Sequence, residues 1–133
     1  MSSNPFDKYK QTQVLTASRE KVLLLMYSGA IKFLNQAIEA GESKNTAERA
    51  LLIGKTQNIV SELRSTLNFE ASFEIASELE RLYDFITERL IKANQDLSPQ
   101  PLKDSLKILI TLNEAWEQAI ASLQKEQLAQ SGG

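Results

Sequence analysis

The sequence predicts an all-α fold, an antiparallel up-down-up-down four-helix bundle with an extended N-terminal arm. Three observations lead there. Four segments of about 20 to 25 residues carry apolar side chains at helical spacing. Short polar, glycine- or proline-bearing stretches separate them, and no run shows the period-2 alternation of a strand. At about 1.5 Å of rise per residue these helices are roughly 30 to 37 Å long. Equal lengths pack side by side, and short connections force sequence neighbours to run antiparallel.

The first segment runs from about Arg19 to Ala40, with Val22, Leu23, Met26, Tyr27, Ala30, Ile31, Leu34, Ala37 and Ile38 on one broad face. Ser18 is placed as its N-cap and Gly41 as its stop. The second starts at Asn45, where N-T-A-E sets a capping side chain three residues before Glu48. Its stripe reads Leu52, Thr56, Ile59, Leu63 and Leu67, ending near Asn68. The third spans roughly Ser72 to Gln95, with Ile75, Ala76, Leu79, Leu82, Tyr83, Ile86, Leu90 and Ala93 in register and no glycine or proline. The fourth opens at S-P-Q-P, where proline is tolerated because first-turn amides have no partner inside the helix. Its stripe is Leu102, Leu106, Leu109, Leu112, Trp116, Ala119, Ile120 and Leu123. This predicts an arm over 1–18, a bundle over 19–125 and a disordered tail over 126–133.

Composition excludes more chemistry than it suggests. The 133 residues contain neither cysteine nor histidine, which removes disulfides, thiolate or imidazole metal sites, and any nucleophile activated by a histidine base. The predicted protein is not an enzyme and holds no metal or cofactor. Carboxylates recur on the third helix at Glu74, Glu78, Glu80, Asp84 and Glu88, but Arg81, Arg89 and Lys92 interleave them as on a solvated face. The GKT at 54–56 lacks the first glycine of a phosphate-binding loop. Net charge is −2, with nine basic against six acidic residues in 1–66 and six against eleven in 67–133. No concentrated basic face is present, so a nucleic-acid partner is not expected. The apolar run VLLLMY at 22–27 is broken by Ser28, Gly29 and Lys32, too short to span a bilayer. The opening MSSNPFDKYKQTQ lacks the apolar centre of a secretory signal, and the expected compartment is the cytoplasm.

The apolar residues exceed what a bundle seam requires. Leu51, Ile53 and Val60 flank the second stripe, Ile108 and Ile110 flank Leu109, and Phe69, Phe73 and Phe85 are further surplus. Such width fits helices shouldered by neighbours or a groove left open for another chain. The arm adds Pro5, Phe6, Tyr9, Val14 and Leu15. It would serve either as a static lid on the core or as a cover that a partner displaces.

Five pieces in order carry a resemblance. They are Y-x4-V-x-T-A-S from Tyr9 to Ser18, L-L-L-M-Y-S-G-A-I from Leu23 to Ile31, E-L-R-S-T-L-N from Glu62 to Asn68, L-Y-D-F-I-x3-L-x2-A-N from Leu82 to Asn94, and L-N-E-A-W from Leu112 to Trp116. Over about residues 9 to 120 the chain resembles the FliS flagellin export chaperones. It departs from them at Arg19, where proline is usual, and at Ser28 and Asn68, where aspartate is common. The resemblance implies a cytoplasmic chaperone that binds the disordered C-terminal segment of flagellin along an apolar surface. It also implies that binding blocks premature polymerisation and that the chaperone docks on the gate of the flagellar type III export apparatus. By the same resemblance Tyr9 and Val14 are the arm's contacts. Surplus apolar positions then nominate Leu24, Tyr27, Ile53, Val60, Leu67, Ile108 and Ile110 as the client surface. The rival expectation is a structural module in which the same faces join two copies of the bundle; the chaperone reading expects a monomer or weak dimer when free.

Overall fold

The structure, a computed structural model, describes residues 19–131. Four helices account for nearly all of them: α1 (Arg19–Glu42), α2 (Thr46–Ser65), α3 (Phe73–Asp96) and α4 (Gln100–Ser131). Helix α1 packs on α2 and α4, and α3 packs on the same two, while the backbones of the diagonal pairs stand apart. That circuit is the antiparallel four-helix bundle the periodicity predicts. The arm residues Tyr9 and Val14 lie outside the described residues.

Local signals set most of the boundaries. Asn45 caps α2, its Oδ1 accepting the Glu48 amide at 3.2 Å, and Ser72 caps α3 by accepting the Ile75 amide at 3.3 Å. Gly41 does not end α1. The helix continues to Glu42, and the left-handed residue that turns the chain is Lys44, with φ 59°. Gly41 instead makes room for a neighbour, because a Cβ there would stand 3.3 Å from Cδ and Nε of Arg49. Helix α2 stops at Ser65, where the Thr66 hydroxyl and amide both turn back onto the Leu63 carbonyl. Helix α4 overruns its expected end and continues through 126–131, because QKEQLAQ is made of good helix formers with no glycine or proline. Residues 121–131 are exposed throughout, an overhang beyond the packed bundle.

The core runs along the bundle axis through Tyr27, Leu34, Ile53, Val60, Ile86, Leu90, Leu102 and Leu109, with alanines 30, 37 and 93 letting the helices approach. Thr56 and Ser105 are buried with them, and each hydroxyl bonds a carbonyl one turn back in its own helix. Arg49 is only 4% exposed. It donates to the carbonyls of Ala93 at 2.8 Å and Ser98 at 2.9 Å. The guanidinium thereby serves the Ser98 carbonyl, joins the Leu97 amide on the Ala93 carbonyl, and ties the start of α2 to the α3–α4 turn.

Candidate binding groove at the open end of the bundle

At the end of the bundle where α1 and α3 begin and α2 finishes, the helices leave a cavity of about 660 Å³. Its walls are Leu23 and Met26 from α1, Leu67 at the end of α2, Ile75 and Leu79 from α3, and Trp116 from α4. Arg19 and Glu20 supply charge from the α1 side, and Asn68, Ala71 and Ser72 line the edge formed by the α2–α3 connection. That connection is held open by Asn68, whose Oδ1 accepts the amides of Glu70 and Ala71 at 3.0 and 3.1 Å. The connection and the first turn of α3 also present Phe69 and Phe73 to solvent, with ring centroids 6.1 Å apart. Ile75 is 59% exposed although it lines the cavity. Among the described residues, this end of the bundle therefore leaves apolar side chains uncovered beside the cavity, as at binding sites.

One polar cluster is built into this surface. The hydroxyls of Tyr27 and Tyr83 are hydrogen-bonded to each other across the diagonal from α1 to α3, and the Trp116 indole N–H donates to the Tyr27 oxygen at 3.2 Å. Tyr83 and Trp116 line the cavity, whereas Tyr27 does not. Burial pushes both phenols above the usual tyrosine range, and for Tyr83 the bond to Tyr27 pushes further in the same direction.

The nine nominated residues are not one surface. Leu67 is on the groove wall. Leu24 belongs to a second, smaller cleft between the start of α1 and the far part of α4, beside Lys21, Glu117 and Gln124. Ile108 is half-buried against the core, and Ile110 is 36% exposed on α4; neither lines the groove. Tyr27, Ile53 and Val60 are a correction, since all three are wholly buried core residues with no surface to offer a partner. The buried face of α2 passes through Arg49, Leu52, Ile53, Thr56, Val60 and Leu63, keeping Leu52, Thr56 and Leu63 of the expected stripe and taking in Ile53 and Val60 beside them. Ile59 is displaced to the α1 crossing, where its Cδ1 lies 3.4 Å from where a Gly29 Cβ would be. Sequence reasoning missed Met26, Leu79 and Trp116 as groove residues because each also fits a core stripe. Periodicity does not reveal that the bundle splays at one end. Two of the three departures sit at the groove: Arg19 is exposed and lines it, Asn68 lines its edge as a turn residue, and Ser28 is exposed away from it.

Among the described residues there is no cluster of metal-binding side chains, and no helix is long and apolar enough to cross a membrane. The family model "Flagellar protein FliS" matches residues 2–123. The flagellar secretion chaperone FliS of Bacillus subtilis is 31% identical over 129 residues, covering 97% of this chain and 96% of that protein. The FliS of Vibrio cholerae is 34% identical, covering 80% of this chain and 79% of that one. A crystal structure of a bacterial flagellar chaperone superposes with a TM-score of 0.75 at 18% identity, over 89% of this chain and 99% of that one.

Proposed function

From the premise that this chain belongs to the FliS family of non-catalytic flagellar secretion chaperones, we propose that its open-ended groove holds the disordered C-terminal segment of flagellin in the cytoplasm. Held there, the segment cannot polymerise, and the complex is presented to the flagellar export gate as a type III substrate. The observation that carries this reading is the exposed apolar continuity from Leu23 and Met26 to Leu67, Ile75 and Leu79. A disordered segment gives up conformational entropy when it binds, and apolar burial at about 25 cal/mol per Å² is the available offset. A cavity of about 660 Å³ accepts a few anchor side chains. The rest of the client runs over the surrounding surface, with helical stretches presenting anchors at i, i+3, i+4 and i+7.

Calorimetric titration with a peptide from the flagellin C-terminus, combined with light scattering, tests the reading. A one-to-one complex with a negative heat-capacity change is expected from apolar burial. A permanent dimer that gives no heat with the peptide would instead identify the apolar faces as a contact between copies.

A further inference from the structure

Trp116 is the one tryptophan in the sequence; it lines the groove and is half-buried there. An indole can donate but not accept, so the direction of its hydrogen bond is fixed, and the N–H donates to the Tyr27 oxygen at 3.2 Å. Tyr27 is wholly buried and does not line the cavity, so the polar atom of the indole is engaged from behind the wall. The Tyr27 hydroxyl is in turn hydrogen-bonded to Tyr83, and the three residues join α1, α3 and α4 beside the groove. This matters to whatever covers Trp116. An indole N–H without a partner bears a desolvation penalty once a client excludes water, and the bond to Tyr27 meets that need in advance. A side chain already held in one orientation also has less freedom to lose on binding.

We propose that Tyr27 is a positioning residue for client binding: by accepting the Trp116 N–H it keeps the indole donor out of the groove and holds the ring as a preorganised apolar panel. This rests on the groove being the flagellin-tail site. Tyr27 acts without touching the client, since it has no exposed surface of its own. The walls formed by Leu23, Met26 and Leu79 are apolar as well. The client is therefore met at Trp116 by apolar surface, and the group it sets there is an aliphatic or aromatic side chain rather than a hydrogen-bond acceptor.

Calorimetry of the full-length protein with the flagellin C-terminal peptide is the test, using Tyr27→Phe, Tyr83→Phe, Trp116→Phe and the Tyr27→Phe/Trp116→Phe double variant. Tyr27→Phe keeps the buried ring and removes only the acceptor, and is expected to weaken binding about three- to tenfold. Tyr83→Phe leaves the Tyr27 oxygen in place for the indole and should bind within about twofold of the parent. Made on top of Trp116→Phe, the Tyr27→Phe change should alter affinity by less than about twofold, a coupling that a general loss of core stability does not produce. With one tryptophan in the chain, emission reports this position alone, and acrylamide should quench Tyr27→Phe more readily than the parent or Tyr83→Phe. In the unsubstituted protein the single indole N–H resonance should exchange slowly with solvent and stay hydrogen-bonded when peptide is added, which tests the arrangement even where a variant does not fold. Parental affinity in Tyr27→Phe, an equal loss in Tyr83→Phe, a Tyr27→Phe loss that persists in full without Trp116, equal quenching throughout, or an indole proton that exchanges freely would each overturn the positioning role. A parent protein that fails to bind the peptide removes the function proposed above, and this inference with it.

Discussion

Burial of two phenols that must stay neutral makes the tyrosine cluster pH-sensitive in one direction. Both phenols have folded-state values raised above the ordinary 10.0. Below pH 10 they are protonated whether the chain is folded or not, and contribute no pH dependence. Above it, only the unfolded chain releases the protons, so stability falls as pH rises. Denaturant midpoints measured between pH 8 and 11 should be level at first and then drop, with a shallower drop in Tyr83→Phe. Tyrosine absorbance adds a separate check, since two of the three tyrosines should ionise only as the protein unfolds. Arg49 is the other residue whose burial sets its role. Replacing it with leucine keeps the apolar stem but leaves the Ser98 carbonyl unpaired and the Ala93 carbonyl with the Leu97 amide alone. That should cost about 2 to 3 kcal/mol, read as a lower urea midpoint at unchanged slope.

At the scale of the helices, the two mid-helix glycines separate by what surrounds them. Gly29 lies under Ile59 at the α1–α2 crossing, whereas a Cβ at Gly54 would meet nothing within 4 Å. Gly54→Ala should therefore recover the helix propensity that glycine forgoes, about 1 kcal/mol, and raise the melting temperature by roughly 3 to 5 °C. Peptide affinity should be unchanged, because Gly54 does not line the groove. Element existence and order were legible in the sequence because each helix carries its own periodic stripe, and Asn45 carries a recognisable cap. Which flank of the α2 stripe is buried was not. Val60 and Ile59 are equally apolar neighbours, and only the crossing over Gly29 decides which of them faces the core. Neither glycine position nor charge pattern marks Lys44 or Leu97 as the left-handed residues, since each is held there by the connection it closes. Arg49 was illegible for a related reason, since its partners are backbone carbonyls on another helix and no side chain in the sequence advertises them.

The whole molecule is asymmetric along its axis. At one end the α1–α2 and α3–α4 turns are short and Arg49 ties two of the connections together; at the other the longer Thr66–Ser72 connection lets the helices part over the groove. Client binding should therefore act on one end while the other holds the fold, and core and groove should be separable by substitution. Val60 and Ile75 make the comparison, one wholly buried in α2 and the other mostly exposed on the groove wall. A buried aspartate at position 60 has no partner to offset its desolvation, so Val60→Asp should lose the cooperative thermal transition. Ile75→Asp should change stability by no more than about 0.5 kcal/mol, as surface substitutions do, yet weaken the flagellin peptide by tenfold or more because a carboxylate must then be desolvated against an apolar client. Because ligands that bind only the folded state stabilise it by mass action, saturating peptide should raise the parent's melting temperature and leave that of Ile75→Asp nearly unmoved at the same concentration. An Ile75→Asp protein that binds and is stabilised like the parent would relocate the client away from this groove, while a Val60→Asp protein that folds and still fails to bind would return α2 to the binding surface.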